Sequence, residues 1–138
     1  MDAKKGKEVR EGFWYTDKHE WVKPDKDLKT ALCGVTDFAQ NSLGDIVFVE
    51  LASSILDSSI NKGDVIAVVE SAKAASDVYS PVSGQVLELN TVIEDTPETV
   101  NKSPYDDGWF VKIELSASDE LKKLMTPDQY KDFLASGG

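Results

Sequence analysis

A lysine at the tip of a predicted β-hairpin is the residue of this chain whose setting best suits chemistry. Lys73 lies between the segments DVIAVVES and SDVYSP, whose β-branched and apolar residues predict two strands joined by a short tip. Such a lysine is exposed and rests on a rigid base, and its neighbours in the tip are small: Ser71, Ala72, Ala74, Ala75 and Ser76. A modifying enzyme could therefore reach the ε-amine, and the acylated side chain would be a long arm able to enter the pocket of another protein.

Two other interpretations of Lys73 stay open on the residues alone. Lysines are common at exposed turns, where most of them only keep the protein soluble, and this is the stronger interpretation for an isolated hairpin lysine. A catalytic lysine would need an apolar pocket that lowers the pKa of its amine, and a tip of small residues offers none. The chemistry of Lys73 therefore depends on what surrounds it.

Short strands with turn signals between them make up most of the chain that must position Lys73. Apolar patterns predict either two short strands or an extended segment within 12–24. Further strands are predicted in the segments 29–35, 45–51, 64–71, 76–81, 85–90 and 108–115. The Ser-rich segment 52–64 is predicted to be a surface loop, and 90–107 a long ordered loop with one helical turn. These features favour a mainly β fold, either a compact sandwich or a flattened barrel.

Helices are predicted at the edges of this β structure. Thr36 is a suitable N-cap for a short helix over 37–43, and Gly44 is a suitable residue to end it. A C-terminal helical region is expected at about 117–135, and the segment TPDQ within it has the spacing of a capping box. We therefore expect short peripheral helices around the sheets.

The composition limits the classes of function. A chain of 138 residues suits one domain with one core, and we expect that domain over 12–138 after a flexible, charged tail over 1–11. The formal net charge of −10 argues against nucleic acid and anionic membranes as partners. One histidine and one cysteine are poor material for a metal site or a catalytic triad, so we expect neither. The tail lacks the apolar segment of a signal peptide, so we expect a protein that is not secreted.

The block around Lys73 resembles the lipoyl-attachment region of the H proteins of the glycine cleavage system. It has the form ES-x-KA-x-SD-x-x-SP-x-SG over residues 70–84. The segments YTDKHEWVK, GVTDFAQNSLGDIVFVEL, VNKSPYDDGWFVKIEL and the C-terminal helical region match in the same order, from residue 15 to about 134. Other lipoyl domains typically carry a shorter Asp-Lys-Ala tip and biotinyl domains a Met-Lys-Met tip, and this chain has neither.

This resemblance implies a lipoyl/biotinyl-type flattened β-barrel sandwich with short peripheral and C-terminal helices. It also implies lipoic acid joined by an amide to Lys73, and a carrier without catalysis of its own. The carrier would take a glycine-derived aminomethyl group from glycine decarboxylase (P protein) to aminomethyltransferase (T protein), and dihydrolipoamide dehydrogenase (L protein) would reoxidise its dithiol. Lipoate-attaching enzymes would be further partners. The compartment would be the bacterial cytoplasm or the mitochondrial matrix, and a freely diffusing carrier favours a monomer.

The resemblance further implies a cleft that shelters the loaded arm from water. In the family, the glutamate of the HEW segment and the aspartate shortly after the modified lysine line this cleft, and they match Glu20 and Asp77 here. A carboxylate suits a cationic amine, whereas a solvated carboxylate at Glu20 and a turn residue at Asp77 are the simpler alternatives. The chain departs from the family at Lys18, where a small hydroxyl or acidic residue is common, at Ala72, where valine is usual, and in the longer loop 52–60.

Alternatives to the carrier function remain at this point. His19 is expected to pack or hydrogen-bond beside Trp21 rather than to act as a general base, and Cys33 is expected to be a buried core thiol. An enzyme is therefore poorly supplied with catalytic groups. An H-like protein that relays lipoyl groups to other acceptors, or an unmodified β scaffold that binds proteins, would also fit the residues.

Overall fold

The computed structural model describes residues 6–138, in which nine strands form two antiparallel sheets. The first sheet has six strands, in the spatial order β1 (Trp14–Tyr15), β2 (Glu20–Pro24), β3 (Thr30–Val35), β9 (Val111–Leu115), β8 (Gly84–Leu89) and β5 (Ser59–Ile60). The second sheet has three strands, in the order β4 (Ile46–Leu51), β6 (Val65–Ser71) and β7 (Ala75–Tyr79). This arrangement confirms the predicted mainly β sandwich.

The main hydrophobic core collects buried side chains from both sheets. Val22, Cys33 and Ile113 of the first sheet belong to the same cluster as Val69 and Val78 of the second, and each is at most 4% exposed. Full burial of a side chain of this kind contributes roughly 1.5–3 kcal/mol. Because Val69 and Val78 lie on β6 and β7, the core anchors the base of the hairpin that carries Lys73.

A second, aromatic cluster lies at the outer end of the six-stranded sheet. Its buried members are Phe13, Tyr15, Trp21, Tyr105 and Tyr130. The rings of Tyr15 and Tyr130 stack with centroids 4.4 Å apart and planes 2° from parallel. The C-terminal helix, which contains Tyr130, is thereby fixed against β1.

The predicted helix caps are present. Helix α1 (Asp37–Leu43) begins after Thr36, whose hydroxyl oxygen accepts from the backbone amide of Ala39 at 3.2 Å, and it ends at Gly44. The C-terminal helix α4 (Pro127–Ala135) begins with the complete capping box of Thr126 and Gln129. The predicted helical region before α4 is a 3-10 helix over Ser118–Lys123.

Four short elements lie in the two segments that were predicted to be loops. The segment 52–64 contains a 3-10 turn over Ser53–Ile55 and the strand β5, which pairs with the start of β8. The segment 90–107 forms two short helices, α2 (Val92–Asp95) and α3 (Glu98–Lys102), instead of one helical turn. Each of these helices buries a single apolar residue, Ile93 and Val100 respectively. One buried residue per helix leaves no apolar period in the sequence, so pattern analysis could not find them.

The segment 6–11 makes defined contacts with the domain, where the sequence predicted a flexible tail over 1–11. The amide of Glu8 donates to Asp37 at 3.0 Å, and the guanidinium of Arg10 donates to both carboxylate oxygens of Asp106 at 2.9 Å. Composition alone could not show this, because the partners are distant in sequence. Residues 1–5 of the predicted tail lie outside the described residues.

Candidate functional site

The tip that carries Lys73 is a tight turn organised by Ser71. The backbone amide of Ser71 donates to the carbonyl of Ala74 at 2.8 Å. The Ser71 hydroxyl oxygen accepts from the amides of Lys73 and Ala74 at 3.3 and 3.2 Å. Directly below the turn, Glu70 pairs with Ala75 across β6 and β7. Lys73 is exposed at this tip, so its amine is accessible on a base held by backbone hydrogen bonds.

The Lys73 side chain runs past Gly44, the residue that ends α1. A methyl group at position 44 would lie 3.4 Å from Cε of Lys73. Asn101 holds this corner, because its side-chain amide donates to the carbonyl of Gly44 and its side-chain oxygen accepts from the amide of Ile46, both at 2.9 Å. Sequence analysis missed Asn101, which lies in the segment predicted to be a loop. The lysine tip is therefore beside the C-terminal end of α1.

A pocket of about 200 Å³ opens between α1 and β7. Its walls come from residues 18–20, from one face of α1 and from residues 76–78. The face of α1 contributes the half-buried side chains of Phe38 and Leu43. The third wall begins three residues after Lys73, so the pocket opens close to the lysine along β7.

Glu20 is the buried carboxylate of this pocket. Its side chain belongs to a residue that is only 4% exposed. One carboxylate oxygen accepts from the Thr16 hydroxyl at 3.0 Å, and the other accepts from the backbone amide of Tyr79 at 3.0 Å. The alternative of a solvated surface carboxylate is therefore wrong. Sequence analysis named the residue through its resemblance to a family, but the polar neighbours Lys18 and His19 gave no sign of burial.

Burial also changes the acidity of Glu20. Removal of the carboxyl group from water raises its pKa from 4.5 to about 7. The hydrogen bonds from Tyr79 and Thr16 and the charge of Lys18 act in the opposite direction. Within residues 6–138 the ion pairs join Arg10 to Glu8 and Asp106 and Lys112 to Glu88, and none of them involves Glu20. The carboxylate thus has hydrogen-bond donors, but among residues 6–138 no cation lies within ion-pair distance of it.

Asp77 and Lys18 lie at the rim of the same pocket. Asp77 is exposed and belongs to β7, where it pairs with Val68, so it is a strand residue and not a turn residue. Lys18 is also exposed, and its Nζ lies 4.4 Å from the centroid of the Tyr79 ring. The structure thus brings Glu20 and Asp77 to one pocket and places the cation of Lys18 at its edge. A cation over an aromatic face is favoured by the ring quadrupole.

His19 forms part of the wall behind Glu20. Its Nδ1 lies 2.8 Å from the hydroxyl of Tyr130, and its ring packs against Phe38 with centroids 4.4 Å apart. Burial lowers the pKa of the imidazole below its ordinary value, although the charge of Asp17 acts against this. The predicted packing and hydrogen-bonding role is confirmed, with Phe38 and Tyr130 as partners in place of the expected Trp21.

The remaining candidates for reactive groups are structural. Cys33 is fully buried in the main core, as predicted, and burial raises the pKa of its thiol above its ordinary value. In the part of the chain that the structure describes, no three His, Cys, Asp or Glu side chains form a group that could hold a metal ion. No helix over residues 6–138 is long and apolar enough to span a bilayer.

The pocket is suited to bind a cationic group that is carried at the end of an apolar chain. The pocket offers apolar contact on α1 and a carboxylate at Glu20 that is shielded from water. In such surroundings a charge-assisted hydrogen bond is stronger than in solvent. A second carboxylate at Asp77 stands at the entrance. An acyl group attached to Lys73 would start beside Gly44, at the end of the helix that lines the pocket.

Comparison with known protein families gives one clear result. A model of the family described as "Glycine cleavage H-protein" matches residues 13–137. These residues include the lysine tip, both carboxylates of the pocket and the C-terminal helix. The match therefore covers the whole site and nearly the whole chain.

Individual relatives agree with the family match. The chain is 48% identical over 129 residues to a glycine cleavage system H protein of Saccharophagus degradans, which covers 94% of this chain and 97% of the relative. It is 52% identical over 122 residues to an H protein of Parvibaculum lavamentivorans, covering 88% and 94% of the two chains. The crystal structure of a glycine cleavage system H protein from Mycobacterium marinum superimposes with a TM-score of 0.81 at 31% identity, covering 92% of this chain and 99% of that chain.

Proposed function

The chain belongs to the glycine cleavage H-protein family, and from this premise we propose that Lys73 is the residue that carries its lipoyl group. The protein is a lipoyl carrier of the glycine cleavage system and not an enzyme by itself. It shuttles the aminomethyl group derived from glycine and then presents the dihydrolipoyl arm for reoxidation. A relay of lipoyl groups to other acceptors is not favoured by the names of its relatives.

The juxtaposition of an accessible lysine and a buried carboxylate supports Lys73 as the attachment site. Lys73 stands at a rigid tip, beside the residue that ends α1. The pocket between α1 and β7 contains Glu20, which has no cation within ion-pair distance among the described residues. A carrier of an amine needs both an attachment point and a sheltered carboxylate, and the fold places Lys73 just before β7 and Glu20 against Tyr79 at the end of the same strand.

The residues of the pocket would protect what the arm carries. When attached, the lipoyl group supplies the dithiol chemistry that accepts and releases the glycine-derived fragment. The apolar side chains of Phe38 and Leu43 would exclude water from that fragment. Glu20 would accept hydrogen bonds from its cationic amine, and Asp77 would attract the amine at the entrance. The ordinary alternatives for Lys73, a solubilising or a catalytic lysine, leave the pocket without a function.

Partners follow from the glycine cleavage system. We propose that the arm of Lys73 reaches glycine decarboxylase, aminomethyltransferase and dihydrolipoamide dehydrogenase in turn, and that a lipoate-attaching enzyme recognises the unmodified tip. The net charge of −10 supports partner surfaces that are basic around their entrances. The bacterial relatives support the bacterial cytoplasm over the mitochondrial matrix as the compartment.

Intact mass spectrometry tests the attachment site. The chain is produced with lipoate and a lipoate-attaching enzyme, as wild type, as Lys73→Arg and as Lys62→Arg. Lys62 is a matched control, because it is another exposed lysine at a turn between strands. We expect a lipoyl adduct on the wild type and on Lys62→Arg and none on Lys73→Arg, since arginine keeps the charge but has no acylable amine. An adduct that persists in Lys73→Arg would place the lipoyl group elsewhere.

A further inference from the structure

One tyrosine hydroxyl lies behind the pocket and contacts two of its walls. Tyr130 of α4 is fully buried, and its Oη lies 2.8 Å from Nδ1 of His19 and 2.8 Å from Oγ1 of Thr36. His19 belongs to the wall that also contains Glu20. Thr36 is the N-cap of α1, the helix that forms the opposite wall. The hydroxyl therefore adds a side-chain hydrogen-bond bridge between these two segments.

Both partners of this hydroxyl need to be held in place. The backbone of His19 has the left-handed value φ 66°, which is uncommon for a residue other than glycine. Its carbonyl accepts from the amide of Thr36 at 3.0 Å. Thr36 in turn accepts from the amide of Ala39 at 3.2 Å, which fixes the first turn of α1. The ring of Phe38 lies on the ring of His19, so a movement of His19 would move the pocket-facing side of α1.

The hydroxyl is not required for packing. The ring of Tyr130 stacks on Tyr15, and a phenylalanine ring would fill the same space. A buried hydroxyl costs free energy unless it is hydrogen-bonded, so its presence among aromatic rings calls for partners. Here it has two, and the three groups can align their hydrogen bonds in one direction from Thr36 to His19 or in the reverse direction. The tautomer of the imidazole and the direction of these hydrogen bonds are therefore coupled through a residue of the C-terminal helix.

We propose that the Tyr130 hydroxyl is a positioning group for the pocket that receives the arm of Lys73. It orients the His19 ring and fixes the start of α1, so that Phe38 and Glu20 keep their places on opposite sides of the pocket. The identity of the occupant rests on the proposed function, whereas the orientation of His19 does not. Tyr130 itself does not touch the occupant, because it lies behind the wall that His19 forms.

Nitrogen NMR of the histidine ring tests the positioning step without any lipoyl group. The chain contains a single histidine, so the ring signals need no assignment. We expect the Nδ1 and Nε2 shifts of neutral His19 to change in Tyr130→Phe, because the partner of Nδ1 is lost. Tyr15→Phe is the matched control, since that hydroxyl bonds to the backbone of Arg10 and lies beside Tyr105, and among the described residues it makes no hydrogen bond to His19 or Thr36. Ring shifts of Tyr130→Phe equal to those of the wild type would overturn the proposal, even if the variant were less stable.

Breakdown of the loaded arm tests the consequence for the pocket. The three lipoylated proteins, wild type, Tyr130→Phe and Tyr15→Phe, are loaded with the glycine-derived aminomethyl group and separated from the other components. The rate at which each protein then releases ammonia is measured. We expect Tyr130→Phe to release it roughly five- to tenfold faster, the factor that one ordinary hydrogen bond is worth. Tyr15→Phe should match the wild type. Equal rates of ammonia release from Tyr130→Phe and wild type would overturn a role of Tyr130 in shaping the pocket. A wild type that cannot be lipoylated would instead contradict the proposed function. The NMR signals of the His19 ring would then still decide whether Tyr130 positions that ring.

Discussion

The backbone amide of Tyr79 donates a 3.0 Å hydrogen bond to the carboxylate of Glu20 and so joins the two sheets at the pocket. Glu20 begins β2 in the six-stranded sheet, and Tyr79 ends β7, the strand that returns from the lysine tip. β7 is an edge strand of its sheet. The same carboxylate that faces the pocket thus holds the hairpin of Lys73 against the rest of the domain. Its protonation state should affect both stability and the pocket.

The first prediction concerns the pH dependence of stability. Burial raises the pKa of Glu20 from 4.5 to about 7, so the folded chain binds a proton more tightly than the unfolded chain. The contribution of this group is fully present below pH 4.5 and is lost as the pH rises through about 7. The loss amounts to roughly 3 kcal/mol at most. Glu20→Gln, which cannot ionise, should lack this decline.

Urea unfolding at about pH 5 and about pH 8 measures that decline. The difference in unfolding free energy between the two values should be smaller in Glu20→Gln than in the wild type. Asp77→Asn is the matched control, because Asp77 is an exposed carboxylate of the same pocket. Asp77→Asn should show the same change in unfolding free energy between the two pH values as the wild type. A Glu20→Gln variant with the full decline would show that another group causes it.

The second prediction concerns the charge at the rim. The ammonium of Lys18 lowers the pKa of Glu20, against the larger effect of burial. Lys18→Gln should therefore raise the pKa of Glu20 by roughly 0.7 or less, since exposed charges interact by about 0.2–1 kcal/mol. Lys18→Arg keeps the charge and should leave the pKa where it is. Carbon NMR of the glutamate carboxyl groups during a pH titration gives the value, and a fall in Lys18→Gln would contradict this account.

Much of the site's scaffold is readable from local sequence patterns, but its chemistry is not. Strands β6 and β7 follow from β-branched residues, and the caps of α1 follow from Thr36 and Gly44, because these signals act over a few residues. The burial of Glu20 depends on Thr16 and on Tyr79, and Tyr79 is 59 positions away in the chain. No periodicity marks such a contact. Only resemblance to a family pointed to Glu20, and it gave no hint of Tyr130.

The third prediction concerns the N-terminal segment. The guanidinium of Arg10 donates to Glu8 and to both oxygens of Asp106, and it lies 5.1 Å from the centroid of the Tyr105 ring. Its side chain is 36% exposed, which limits the value of these pairs to about 1 kcal/mol. Arg10→Gln should lower the unfolding free energy by about that amount, and less at high salt. Lys112→Gln removes a longer ion pair, in which Nζ of Lys112 lies 3.6 Å from Glu88, and should lower the unfolding free energy by less. A loss well above 2 kcal/mol in Arg10→Gln would mean that the whole segment detaches.

The fourth prediction concerns the glycine beside the lysine. Gly44 has φ 82° and ψ −159°, a backbone region that costs other residues on the order of 1–3 kcal/mol. Gly44→Ala should lower the unfolding free energy by that amount. The new methyl group would meet Cε of Lys73 at 3.4 Å, an ordinary contact, so the amine should remain accessible.

Gly63→Ala separates the backbone effect from the contact with the lysine. Gly63 also has a positive φ, 96°, but an added methyl group would have no neighbour within 4 Å. Both variants should therefore lose stability in urea unfolding. The rate at which a lipoate-attaching enzyme modifies Lys73 should stay within about twofold of wild type, which corresponds to a change in activation free energy below about 0.5 kcal/mol. Slower modification of Gly44→Ala alone would show that the lysine stem needs the open space above Gly44 before it is acylated.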